Sequence, residues 1–122
     1  MNIDEFRQQM FSYWQAAEEE AKSMKDSYVV LDRLYALYKK FDAEERTMAN
    51  QVLAEWTLSD SEKLRFDALA LIDDFHVVPA IPTLRELAIR LESAKTPESP
   101  YELKKVKRII KDLDERGKKD YA

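Results

Sequence analysis

Apolar residues recur along the chain at three- and four-residue intervals, which is the spacing of one face of an α-helix. The pattern divides into six segments that begin near residues 2, 27, 43, 60, 79 and 100. The connections between segments are therefore short, and short connections make neighbouring helices antiparallel. We expect one all-α domain over residues 1–122, with about six helices arranged in three antiparallel hairpins.

The predicted helices carry recognisable start and stop signals. The fifth helix is expected to begin at Pro79 or just after it. Gly117 is expected to end the sixth helix, because glycine readily takes the left-handed conformation of a helix end. Three other starts pair a short polar residue with an acidic residue three positions later, as in a capping box: Asp42 with Glu45, Ser59 with Glu62, and Ser99 with Glu102.

The fourth helix has an unusually broad apolar pattern. Its main stripe falls on one side at the helical period and consists of Leu64, Ala68, Leu71, Ile72 and Phe75. Phe66 and Leu69 widen this stripe. We therefore expect the fourth helix to be covered on more than one side.

Residues 59–94 read as a helix, a tight turn with an acidic residue, and the sequence VPA opening a second helix. This arrangement resembles a HEAT repeat, although Ile72 stands where that family usually has glycine. The resemblance covers roughly a third of the chain and implies a right-handed α-solenoid that binds a macromolecule on one face. A compact helical bundle is the alternative. The matching residues are Ala68, Leu69, Leu71, Ile72, Asp73 or Asp74, Val78, Pro79, Ala80, Leu84 and Leu87.

Composition narrows the class of protein and its expected location. A hydrophobic content of 45% with 36% charged residues is typical of a globular chain. The absence of cysteine removes disulfides and thiolate metal sites. The first ten residues do not have the pattern of a signal peptide, and no stretch has the length and apolarity of a membrane span. We therefore expect a cytoplasmic protein without a membrane segment.

The residues needed for most enzyme chemistry are missing. The single glycine, Gly117, cannot make a glycine-rich phosphate loop. The single histidine, His76, has no nucleophile motif nearby and no second histidine or cysteine for a metal site. We expect His76 to lie near the carbonyl groups at the end of the fourth helix. The sequence thus favours a non-enzymatic protein with no cofactor and no metal.

Charge is distributed unevenly along the chain. Residues 1–99 hold 12 basic and 19 acidic residues, a net charge of −7, whereas residues 100–122 hold 8 basic and 5 acidic residues, a net charge of +3. An acidic surface favours a basic protein partner over nucleic acid. The candidate partner-binding residues are Tyr28, Asp32, Tyr35, Asp73, Asp74 and His76, and the candidate basic patch is Lys104, Lys105, Arg108 and Lys111.

Each of these residues also has a structural interpretation. Tyrosines can pack between helices, aspartates can cap them, and a basic run can be the solvated face of a terminal helix. Among functional interpretations, we favour a protein-binding module, in its most specific form a bacterial immunity protein that neutralises a basic toxin domain. The alternatives are a HEAT-like scaffold or adaptor, and a nucleic-acid binder that uses the basic sixth helix.

Overall fold

The computed structural model describes the backbone of residues 1–120 and the side chains of residues 1–117. This part of the chain contains six α-helices and one short 3₁₀ turn, with no β-strand. The predicted all-α class is therefore confirmed. The helices are α1 Ile3–Met24, α2 Tyr28–Lys40, α3 Ala43–Trp56, α4 Glu62–Asp74, α5 Ile81–Ser93 and α6 Ser99–Asp120, and the 3₁₀ turn is Val78–Ala80.

The chain groups into two compact units, residues 1–52 and residues 53–122. The boundary falls inside α3, so one unbroken helix belongs to both units. This grouping does not decide the single-domain prediction, which stays a prediction. We call the two parts the N-terminal unit and the C-terminal unit.

The N-terminal unit is built on the packing of α1 against α2. Phe6 of α1 is 3% exposed, and its ring lies 5.2 Å from that of Phe41, which follows α2. Tyr38 is also buried and packs edge-on against Phe41. The Tyr38 hydroxyl donates a 2.8 Å hydrogen bond to Oδ1 of Asn50 on α3. Buried aromatic side chains therefore contribute to the core of this unit together with the fully buried aliphatic residues Val30, Leu34 and Val52.

The connection between α1 and α2 is made by a residue in the left-handed conformation. Lys25 has φ of 53°, and the backbone N–H groups of Lys25 and Asp26 donate to the carbonyls of Lys22 and Ala21. This is the Schellman pattern that satisfies the last carbonyls of a helix, and glycine usually occupies its left-handed position. Here a lysine takes it, at the cost that an L side chain incurs there.

The capping box predicted at the start of α3 is confirmed. The backbone N–H of Glu45 donates to Oδ1 of Asp42 at 2.8 Å, and the backbone N–H of Asp42 donates to Oε1 of Glu45 at 3.0 Å. Each side chain satisfies a donor that the first turn of the helix leaves without a partner.

The C-terminal unit is organised around α6, which packs on both α5 and α4. The buried hydrophobic residues of α6 are Val106, Ile109 and Leu113. They are separated by three and four positions, so they form one continuous apolar face. Burial of each branched aliphatic side chain contributes about 1.5–3 kcal/mol of transfer free energy. The core of this unit is therefore mainly aliphatic, and its fully buried side chains include Leu69, Leu71, Ile72, Leu84, Val106, Ile109 and Leu113.

The start of α4 differs from the prediction. Ser61, not Ser59, is the N-cap, and its Oγ accepts a 3.2 Å hydrogen bond from the backbone N–H of Leu64. Ser59 instead accepts from the backbone N–H of Ser61, which shapes the turn before the helix. The expectation that Phe66 belongs to the covered surface is also wrong, because its side chain is 52% exposed.

The end of α4 is a second left-handed position. His76 has φ of 54°, and the backbone N–H of Val77 donates to the carbonyl of Ile72 at 3.0 Å. His76 therefore lies at the carbonyl end of α4, as predicted. The fifth helix begins at Ile81, directly after the 3₁₀ turn that contains Pro79, and Pro82 falls in its first turn. That boundary is also confirmed.

Two predictions for α6 are wrong. The Ser99 hydroxyl does not cap the helix, since it lies 2.8 Å from the carbonyl oxygen of Thr96 and donates back to the preceding loop. The first turn closes instead on the carbonyl of Glu98, which accepts from the N–H of Glu102. Gly117 does not end α6 either, because it has no positive φ and the helix continues to Asp120. No helix in residues 1–120 combines the length and apolarity needed to cross a bilayer.

Candidate functional site

A groove of about 310 Å³ lies between α4 and α6 in the C-terminal unit. Two aromatic side chains line it and remain open to solvent: Phe66, 52% exposed, and Tyr101, 79% exposed. Leu69 lies beneath them and is buried. The charged residues around this aromatic groove are Glu62, Glu98, Glu102 and Lys105.

Helical spacing explains why these residues meet. Glu62, Phe66 and Leu69 are separated by four and three positions, so they share one face of α4. Glu98, Tyr101, Glu102 and Lys105 repeat the same spacing along the start of α6. The packing of α6 on α4 brings the two faces together. The groove therefore forms because one face of α4 and one face at the start of α6 are brought together where the two helices pack.

A charge pair fixes the two walls of the groove to each other. Arg65 donates from Nε to Oε1 of Glu102 at 2.7 Å and from Nη2 to Oε2 at 3.1 Å. A third donor, Nη1, bonds the carbonyl of Ser59 at 2.9 Å. The side chains of Arg65 and Glu102 are only 16% and 15% exposed, and the hydrogen bond to Glu102 raises the pKa of Arg65. This forked arrangement has strong directional preference, so it holds α4 and α6 at a defined spacing.

Lys105 lies inside the groove rather than pointing into water. Its Nζ sits 4.2 Å from the centre of the Phe66 ring, within the range of a cation–π contact. Burial lowers the pKa of Lys105, because the charged ammonium loses part of its hydration. The face of Phe66 is therefore already occupied by a cation from the chain itself.

The predicted partner-binding residues of α2 lie on the surface of the N-terminal unit. Tyr28 is 72% exposed, Asp32 is exposed, and Tyr35 is half-buried. The spacing of four and three positions puts all three along one side of α2. The structure therefore brings together this part of the predicted set.

The predicted acidic pair at the end of α4 divides between two environments. Asp73 accepts a 3.0 Å hydrogen bond from Nη2 of Arg108, whose Nη1 also bonds Asp112. Asp74 is exposed. His76 is exposed as well and borders a cleft of about 270 Å³ with Asp73, Asp112 and Arg116. Asp73, predicted as a contact for a basic partner, is thus largely neutralised by a residue of the predicted basic patch.

The residues of the predicted basic patch have different neighbours. Lys105 lies against Phe66, and Arg108 is held by Asp73 and Asp112. Lys104 and Lys111 are exposed on α6. Lys107, which was not in the predicted set, pairs with Glu92 at 3.4 Å. Acidic neighbours within the unit therefore offset part of the positive charge of α6.

Sequence reasoning missed the aromatic groove although a signal for it was present. In a helix with 3.6 residues per turn, Phe66 falls almost opposite Leu64 and on the same side as Glu62 and Leu69. A large apolar residue on the polar side of an amphipathic helix marks a second surface, not a wider first one. The aromatic Tyr101, the third residue of α6, gives the matching signal in the polar first turn of that helix.

No group of three or more histidine, cysteine, aspartate or glutamate side chains that could hold a metal ion occurs in the described residues. Comparisons with protein-family models, with curated protein sequences and with solved structures find no match to this chain.

Proposed function

We propose that this protein is a non-enzymatic protein-binding module of the cytoplasm, and specifically a bacterial immunity protein that neutralises a basic toxin domain. The observation that carries the proposal is the aromatic groove, in which Phe66 and Tyr101 stay open to solvent beside several carboxylates. An apolar surface bordered by polar residues is the usual arrangement of a protein contact site.

The physical case rests on what exposed aromatic rings can contribute. A large ring buries much apolar area on binding and loses little conformational entropy, which is why tyrosine is enriched among the residues that dominate binding energy. The Arg65–Glu102 pair fixes the walls before any partner arrives, so little ordering remains to oppose association. Carboxylates around the groove would steer a basic partner towards it.

A HEAT-like scaffold or adaptor is the alternative, and it would use the same groove. The identity of the partner separates the two roles, since a toxin is harmful to the cell and a scaffold client is not. Nucleic-acid binding through α6 has weaker support, because Arg108 and Lys107 already lie against carboxylates.

Co-purification and growth rescue together test this proposal. The chain is expressed in its source cell as wild type, as Phe66→Ser with Tyr101→Ser, and as Ile89→Ser. Ile89 is the matched control, because it is a large apolar residue that is 65% exposed on α5 and outside the groove. We expect a stoichiometric partner with the wild type and with Ile89→Ser, and its loss with the double variant.

For the immunity role, expression of the recovered partner alone should stop growth, and co-expression of the wild-type chain should restore it. A harmless partner would replace the immunity role with the scaffold role. If no stoichiometric partner is recovered, or if the double variant retains it as well as the wild type does, the groove-based proposal fails.

A further inference from the structure

We infer that the aromatic groove receives a segment of a partner protein in which one apolar side chain is flanked by lysine or arginine. This inference rests on the protein-binding function proposed above and specifies the chemistry of the partner. It follows from the size of the groove, from the charges at its rim and from the cation that already lies on Phe66.

The size of the groove fits an anchor side chain and not a whole helix. Its volume of about 310 Å³ is at the lower end of the range for ligand clefts, which is about 300–1,000 Å³. Phe66, Tyr101 and Leu69 supply its apolar surface. An apolar side chain inserted between them would be desolvated on several sides, as the anchors of protein interfaces are.

The rim selects the charge of the residues next to that anchor. Glu62 on the α4 side and Glu98 before α6 are both exposed. Glu102 is already engaged by Arg65, so it adds little to the attraction. The exposed carboxylates therefore come one from each wall, and a segment with cations on both sides of its apolar anchor complements them.

Lys105 indicates what the face of Phe66 binds. Its ammonium lies over the ring at 4.2 Å, at the cost of partial desolvation. A lysine or arginine of the partner would compete with Lys105 for this face and for the nearby carboxylates. Lys105 thus acts as an internal occupant of the groove that must yield when the partner binds.

The test uses two synthetic peptides that share one leucine anchor and differ only in the flanking residues, lysine in one and glutamate in the other. Binding to the full chain is measured by calorimetry at low and physiological salt, and the ring signals of Phe66 and Tyr101 are followed by NMR. We expect the lysine peptide to bind, to shift both rings and to weaken as salt is raised.

Three variants sharpen the result. Glu62→Gln with Glu98→Gln should weaken binding of the lysine peptide about three- to tenfold, since two exposed ion pairs with the peptide are lost. The control with the same loss of charge, Glu86→Gln with Glu92→Gln on α5, should change it less than twofold. Lys105→Met removes the internal cation and should strengthen binding about two- to fivefold.

Each failure has a separate meaning. Equal binding of both peptides would overturn the requirement for basic flanks and leave the protein-binding function standing. A lack of binding by either peptide, or ring signals that do not move, would overturn the groove as a docking site for such a segment. Loss of a co-purified partner in the Phe66→Ser, Tyr101→Ser variant, together with growth rescue by the wild-type chain, would still support the proposed function in that case, because the two experiments have independent readouts.

Discussion

One phenylalanine in each compact unit, Phe6 and Phe66, shows how differently the same side chain can be placed. In the N-terminal unit, Phe6 and Tyr38 are buried and both contact the ring of Phe41. In the C-terminal unit the centre is mainly aliphatic, and Phe66 and Tyr101 lie outside it. Phenylalanine therefore contributes to the packed core at position 6 and remains exposed to solvent at position 66.

The two units also differ in how they use charge. The Arg33–Glu20 pair of the N-terminal unit is well exposed, with side chains 50% and 38% open to solvent. The Arg65–Glu102 pair of the C-terminal unit is mostly buried. A screened surface pair contributes little to stability, whereas a pair removed from water is costly to break. The charge pairs of the two units are therefore not equivalent, although both are arginine–glutamate forks.

The largest expected effect concerns the aromatic residues. Phe6→Ala should lower the free energy of unfolding by about 3–5 kcal/mol, because it leaves a cavity in the N-terminal core. Phe66→Ala should cost less than about 1 kcal/mol, because half of that ring is already in water. Urea unfolding followed by circular dichroism measures both. Equal losses from the two substitutions would remove the distinction between the units.

The second effect concerns the charge pairs. Arg65→Ala should lower the free energy of unfolding by about 2–3 kcal/mol, since it leaves the mostly buried Glu102 carboxylate and the Ser59 carbonyl without their donor. Arg33→Ala should change stability little, because its pair is exposed and screened. Hydrogen exchange should show the Arg65→Ala loss within α4 and α6. A similar response from Arg33→Ala would contradict the comparison.

The smallest effect concerns the Tyr38 hydroxyl. Burial raises the pKa of Tyr38, and this outweighs the opposing influence of Arg46 and of the hydrogen bond to Asn50. The phenol of the unfolded chain ionises near pH 10. The stability that comes from keeping the folded phenol protonated is therefore complete below about pH 10, and it is lost as the pH rises through the higher pKa of the folded state.

Tyr38→Phe should therefore cost about 1 kcal/mol at neutral pH through loss of the hydrogen bond. The gap between variant and wild type should narrow above about pH 10. Chemical unfolding measured from neutral to alkaline pH gives this difference directly, and other titrating groups cancel in it. A gap that stays constant would mean that folding does not raise the pKa of Tyr38.

The helices were predictable because their apolar spacing is regular, and the Asp42–Glu45 box was predictable because its pattern is purely local. The errors arose where tertiary contacts override local signals. Ser99 has the residue type of a cap, but its hydroxyl bonds the preceding loop. Gly117 has the residue type of a helix end, but α6 continues past it.

The placement of the candidate site residues follows the same distinction between local and tertiary signals. The exposure of Tyr28 and Asp32 follows from one helix, so the sequence could indicate it. The pairing of Asp73 with Arg108 joins two helices 35 positions apart, and it could not be read from either helix alone. The aromatic groove also depends on α4 meeting α6.

The single glycine of this chain does not lie at a position where glycine would stabilise the fold. Its one glycine lies inside α6, where a methyl group at position 117 would meet Cγ1 of Val78 at an ordinary 3.5 Å. Meanwhile Lys25 and His76 hold backbone angles that glycine adopts without strain. A non-glycine residue at position 117 and glycine at positions 25 and 76 should each stabilise the fold, by roughly 0.5–1 kcal/mol per substitution. The natural sequence therefore has room to accept costly surface changes once those substitutions are made, which makes it a practical starting point for the redesign of its surface.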